Sequence, residues 1–223
     1  LKNSIKDFYD RTFAHYGDLK WWPAKNPFEV AVGAILTQNT SWKNVEKALK
    51  NLRDEDRLSP QAILRAPIYA LTESIRPSGY FNQKALRLKA FVEWFDDELD
   101  CEFASPDTIS TAELRNKLLA LKGIGPETAD DILLYAFKRP VFVVDAYTYR
   151  IAVRHDWAPP LAGYDELAEV FRSNLEEDLF IYQNFHAILV EIGKNFCIKK
   201  SPKCDSCPAG KCPDFEGARE FSE

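Results

Sequence analysis

Apolar residues recur along most of the chain at the spacing of one helical face. In residues 127–137 they fall at Ala129, Ile132, Leu133, Ala136 and Phe137, the i, i+3, i+4, i+7, i+8 series that a 3.6-residue turn stacks on one side. The same periodicity predicts helices over 28–36, 42–52, 83–95, 112–121, 146–153, 164–175 and 180–193. Strand-like alternation is nearly absent, and the apolar run 141–144 is the one short candidate. Breaks fall at Pro23, Asn26-Pro27, Ser59-Pro60, Pro77-Ser78-Gly79, Ser105-Pro106, Gly123 to Pro126, Arg139-Pro140 and Pro159-Pro160. The pattern predicts an all-α chain of short helices and short turns. It shows no internal repeat, low-complexity tract or long linker, so any division into lobes must come from packing.

Composition changes this picture little. With 223 residues, 46% hydrophobic and 28% charged, the chain can bury a sizeable core in one or two lobes. No apolar run approaches the roughly 18 residues of a membrane span, and residues 1–10 are charged and amphipathic without an apolar signal region. These features predict a cytoplasmic protein, neither secreted nor membrane-bound. The net charge of -5 argues against a protein that coats nucleic acid indiscriminately, because such affinity comes from Lys and Arg displacing counterions. A local positive patch remains, with Lys194, Lys199, Lys200 and Lys203 and no carboxylate among them.

Three stretches carry candidate chemistry. Gly123 and Gly125, set between amphipathic helices, permit a tight turn with positive φ and close backbone approach to another molecule. Amides of that turn and of the following helix start suit a phosphate oxygen, a grip on nucleic acid that reads no bases. Asp145 follows four apolar residues and precedes a predicted helix, so it suits an N-cap and also a desolvated carboxylate kept ionised by helix amides. Cys197, Cys204, Cys207 and Cys212 form C-x6-C-x2-C-x4-C, while Cys101 stands apart. Four thiolates so crowded in a reducing compartment point to metal rather than disulfides, either a 4Fe-4S cluster or zinc.

The run from Leu121 to Asp130, followed by Val143-Val144-Asp145-Ala146-Tyr147, resembles the helix-hairpin-helix DNA glycosylases typified by endonuclease III. Leu36-Thr37-Gln38-Asn39-Thr40 and the cysteine cluster extend the resemblance to nearly the whole chain, although the last cysteine interval is one residue shorter than the family's C-x6-C-x2-C-x5-C. The resemblance implies two all-helical lobes with a DNA cleft between them. One covers 24–138, with the hairpin at about 113–137; the other joins 1–23 to 139–223 and carries an iron-sulfur loop at 197–212. It implies Asp145 as catalytic carboxylate and Gln38 as the side chain entering the gap left by an everted base. It further implies DNA-backbone contacts at Lys122, Gly123, Ile124, Gly125, Thr128, Lys199, Lys200 and Lys203. Cys197, Cys204, Cys207 and Cys212 would hold a 4Fe-4S cluster, with zinc the alternative.

Bifunctional members place a lysine two residues after the second hairpin glycine. Glu127 stands there and cannot form a Schiff base, which implies base release without strand cleavage. Trp21-Trp22-Pro23, the Gln38 loop, Arg76-Pro77-Ser78-Gly79-Tyr80 and Lys122 to Gly125 together resemble the 3-methyladenine glycosylase branch. Trp21, Trp22, Pro23 and Trp42 would then line a base pocket, and a cationic alkylated purine would be held by indole faces. The expected partner is double-stranded DNA with a damaged base, bound by a nucleoid-associated monomer. Three other readings compete: a mismatch or oxidised-pyrimidine glycosylase, a noncatalytic damaged-DNA-binding module, and a zinc-binding interaction domain.

Overall fold

Asn26 and Pro27 show how this chain starts its helices. The Asn26 side-chain oxygen accepts the Glu29 N–H at 2.9 Å, and Pro27 occupies the first helical position, where a missing N–H costs nothing. Ser59 and Pro60 repeat the device, and Ser4, Ser110, Asp145 and Asp178 cap four further helices through their side chains. In this computed structural model, residues 4–103, 109–210 and 212 are described. The Ser105-Pro106 break, residues 1–3 of the amphipathic start and residue 211 of the cysteine loop lie outside the described residues.

The helices are α1 (Ile5–Tyr16), α2 (Pro27–Leu36), α3 (Trp42–Asp54), α4 (Pro60–Arg65), α5 (Ile68–Ser74), α6 (Phe81–Leu99), α7 (Thr111–Ala120), α8 (Pro126–Asp131), α9 (Ala146–Arg154), α10 (Tyr164–Arg172) and α11 (Leu179–Asn195). Short 3-10 turns form at Arg76–Ser78 and Cys204–Ser206. Among the described residues there is no strand, and the protein is all-helical. The apolar run 141–144 is a buried connector, and its Val144 N–H donates to the Tyr164 hydroxyl at 3.3 Å rather than to a ladder.

One helix differs from its predicted form. The segment 127–137 is α8 followed by a wide π turn at Ile132–Ala136, where the Phe137 N–H reaches the Ile132 carbonyl at 3.0 Å. Every residue from Thr128 to Phe137 is buried. The spacing suggested a single apolar face, whereas the segment is enclosed on all sides.

The chain divides into two compact units, Trp22–Arg139 and the pair Leu1–Trp21 with Pro140–Glu223. In the first, α2 is central: its residues Phe28–Leu36 are all buried, and α3, α6, α8 and the π turn pack on it. Lys84 of α6 is fully buried there, and its ammonium donates to the Leu36 carbonyl at 2.8 Å and the Ser78 carbonyl at 2.7 Å. These bonds close the C-terminal end of α2 and the 3-10 turn, while burial lowers the lysine's pKa to about 8.

The second unit packs α9 against α11 around aromatic rings. Phe142 stacks on Phe171 with centroids 4.4 Å apart, and Phe8 meets the ring edges of His155 and Trp157 at 5.0 and 5.1 Å. At Gly193 of α11 a side chain has no room, because an added Cβ would lie 2.6 Å from the Cβ of Tyr147. Among the described residues, no helix is long and apolar enough to cross a membrane.

Candidate functional site

Asp145 caps α9 with one oxygen and turns the other towards His186. Its Oδ1 accepts the Thr148 N–H at 2.7 Å, while Oδ2 stands 3.8 Å from His186 Nε2 on α11. The side chain is 13% exposed and that of His186 6%. Burial alone would push the carboxyl's pKa up; the His186 ring and the Thr148 amide outweigh it and hold the group below the ordinary carboxylate range. The result is a nearly buried anion fixed at a helix start, able to stabilise positive charge that develops beside it.

The hairpin joins α7 to α8. Gly123 takes φ +88°, where glycine is favoured, but Gly125 is extended at φ -94° and ψ 177° and serves as the N-cap of α8. Lys122 and Gly123 are exposed, Gly125 is half-buried, and Ile124 and Thr128 point inward at 5% exposure each. Thr128 is turned towards Gln38, whose amide donates to the Gly123 carbonyl at 3.0 Å and to the Thr128 hydroxyl at 2.9 Å.

Trp22 and Trp42 come together. Trp22 meets Trp42 edge-on with centroids 5.5 Å apart and lies 4.8 Å from the Tyr135 ring, so these three rings form one cluster in the unit Trp22–Arg139. The Trp22 indole N–H is buried and has no hydrogen-bond partner among the described residues, whereas that of Trp42 donates to Glu46 at 3.1 Å. Trp21 belongs to the other unit, where the Lys194 ammonium sits 4.7 Å above its ring. Pro23 is exposed within a tight turn closed by the Ala24 N–H on the Trp22 carbonyl at 2.9 Å.

Cys197, Cys204, Cys207 and Cys212 line one cavity with Ile151, His155, Ile192 and Phe196. Two buried arginines on α9 hold its first edge. Arg150 donates to the carbonyls of Cys197 at 2.6 Å and Gly193 at 2.9 Å; Arg154 donates to the Cys197 sulfur at 3.2 Å and to the carbonyls of Ile198 and Lys199 at 2.9 and 2.8 Å. Burial, reinforced by the neighbouring thiols, pushes the Cys212 thiol up to about 12, and burial likewise raises Cys207. Four thiols around one cavity, with a buried arginine donor on the first of them, form a donor set of the kind a metal centre takes. Among the described residues, no group of three or more His, Cys, Asp or Glu side chains is already arranged around a single ion position. Lys199, Lys200 and Lys203 are exposed on the same loop.

Residues 32–177 match the family described as HhH-GPD superfamily base excision DNA repair protein. The chain belongs to this superfamily. Among relatives of the HhH-GPD chain is a Methanocaldococcus jannaschii protein whose name places it with the DNA repair glycosylases, 48% identical over 92% of this chain and 93% of that one. Endonuclease III of Thermotoga maritima is 31% identical over 82% of this chain and 80% of its own length. Among solved structures, an H. pylori 3-methyladenine DNA glycosylase bound to 1,N6-ethenoadenine matches with TM-score 0.71 and 29% identity, over 84% of this chain and 97% of that chain. An endonuclease III–DNA complex shares the fold with TM-score 0.78 at 22% identity, over 92% of this chain and 91% of that chain.

Several residues that shape this HhH-GPD site carry no clear signal in the sequence. Tyr135 lies in a run where every neighbour is apolar, so its ring reads as ordinary core. Arg150 and Arg154 sit four apart, a spacing that usually marks a solvated helix face; the opposite is true here, at 5% and 2% exposure. His186 lies within the apolar stretch of α11, and only the fold brings it to Asp145.

Proposed function

We propose that the protein is a monofunctional DNA N-glycosylase that hydrolyses the bond between deoxyribose and an alkylated purine such as 3-methyladenine. The observation that carries this reading is the Asp145 carboxylate, nearly buried, held ionised, and with one oxygen facing His186 rather than serving as the cap. Cleaving an N-glycosidic bond builds positive charge on the sugar, so a fixed anion lowers the barrier and can orient or deprotonate the attacking water. Glu127, exposed at the position where a lyase carries its lysine, offers no amine to attack the sugar.

The ring cluster of Trp22, Trp42 and Tyr135 supports the choice of base. Indole faces favour a cationic alkylated purine over a neutral base by roughly 0.5–2 kcal/mol. The unpartnered Trp22 N–H is a donor awaiting an acceptor on the bound base. The 29% identity to a 3-methyladenine glycosylase supports the same choice. Trp22→Ala is expected to reduce 3-methyladenine release at least tenfold while abasic-duplex affinity stays within about twofold. Wild-type release by that variant would remove the ring cluster from the pocket.

Lys122 and the Gly123 to Gly125 turn, with Lys199, Lys200 and Lys203, would contact the DNA backbone. The four cysteines would hold a 4Fe-4S cluster, with zinc as the alternative; its contribution would be to order the lysine-bearing loop. Arg154, against the Cys197 sulfur, would offset the negative charge of the ligated thiolates.

A panel of duplexes with defined lesions tests the whole reading. The expected result is release of 3-methyladenine, strand breaks only after alkali, and no protein–DNA adduct on borohydride treatment. Efficient borohydride trapping would refute the monofunctional assignment. Release of a mismatched thymine or an oxidised pyrimidine instead would refute the substrate.

A further inference from the structure

Gln38 has its hydrogen-bonding capacity largely committed within the protein. Its two amide protons go to the Gly123 carbonyl and the Thr128 hydroxyl, and its carbonyl oxygen accepts from Arg87 of α6. A primary amide has little more to offer. Arg87 also fills the space beneath the hairpin: a Cβ added at Gly123 would stand 2.9 Å from Arg87 Cδ and 3.1 Å from Cγ. The glycine at φ +88° therefore lets the turn close down on the arginine stem as well as adopt its backbone conformation. Three residues earlier on the same helix, Lys84 holds the Leu36 carbonyl, two residues before Gln38. Helix α6 thus anchors both the backbone that leads into Gln38 and the side chain itself.

We propose that Gln38 and Arg87 act as positioning residues that brace the Gly123 turn, and that the hairpin's hold on the DNA backbone depends on this brace. The inference rests on the reading that the hairpin binds DNA. It gives Gln38 a task on undamaged duplexes too, in addition to the gap-filling role that the resemblance implies. Arg87 acts through Gln38 and through packing under the turn, where one guanidinium nitrogen donates to the Gln38 side-chain carbonyl and the stem lies against the Gly123 backbone.

The test uses the full chain and an undamaged duplex, in which no lesion calls for a wedge. Gln38→Ala and Arg87→Met are each expected to weaken binding by about tenfold. The double variant should fall within about twofold of the weaker single one, because both break a single network. Arg87→Lys, which keeps a stem and one donor for the Gln38 oxygen, should bind better than Arg87→Met, and Thr128→Val, the mildest change, should show the same defect in smaller measure. Hydrogen exchange of the amides in 121–130, measured without DNA, should accelerate in every variant. Unchanged exchange and undamaged-duplex affinity, with base release alone impaired, would overturn the proposal. The exchange measurement needs no DNA, so it still reports on the brace if the lesion panel shows no base release.

Discussion

Asp145→Asn is expected to lower single-turnover base release by about 10²–10³-fold while leaving affinity for a damaged duplex nearly unchanged. Asparagine is as good an N-cap as aspartate, so its side-chain oxygen can still accept the Thr148 N–H and α9 should start in the same place. What is lost is the negative charge on the oxygen near His186, and with it the electrostatic stabilisation of a cationic sugar. Asp145→Ala removes cap and charge together and should cost about 1 kcal/mol of stability in addition. An asparagine variant that released base within a few-fold of wild type would remove Asp145 from the mechanism. The direction of its pKa sets the pH range. A carboxyl held below its unfolded value contributes stability above the ordinary carboxylate range and loses it as pH falls through the folded-state value, so Asp145 should stay ionised at any pH where the enzyme works near neutrality.

Gly193→Ala is expected to destabilise the protein by about 2–3 kcal/mol and to slow base release as well. The new methyl would meet Tyr147 at its Cβ, 2.6 Å away, and a Cβ cannot rotate out of the way as a ring can. The helices α9 and α11 must therefore separate, and Tyr147 lies only two residues after Asp145. Thermal unfolding gives the first quantity and single-turnover release the second. Adding Tyr147→Ala should not restore stability, since alanine keeps the offending atom. Recovery in that double variant would show that the ring alone sets the helix spacing.

How much of this was legible in the sequence depended on the length over which a signal accumulates. Helices α3, α6, α10 and α11 are long enough for the apolar period to emerge, and their predicted spans overlap the observed ones, whereas α1, twelve residues long, was not among the predicted helices. Helices α4 and α5, with six and seven residues, complete fewer than two turns and left no periodic trace. The π turn escaped because its residues are apolar throughout, and periodicity cannot distinguish ring widths inside a fully buried segment. Candidate residues showed the same limit. Asp145 could be read locally as a cap, from its place before a helix. Its neighbour His186 could not, nor could the bond from Gln38 to Gly123, because contacts between distant parts of the chain exist only once the helices have packed. The cysteines announced themselves by crowding, but the arginines that hold their loop looked like surface charge.

Helix α9 begins at Asp145 and carries Arg150 and Arg154, whose guanidinium groups grip the backbone of Cys197, Ile198 and Lys199. Nine residues at 1.5 Å each make a stiff rod of about 13 Å, with the carboxylate at one tip and the sulfur-lined chamber at the other. The loop that carries the first cysteine and the cap that carries the carboxylate are therefore fastened to one and the same helix.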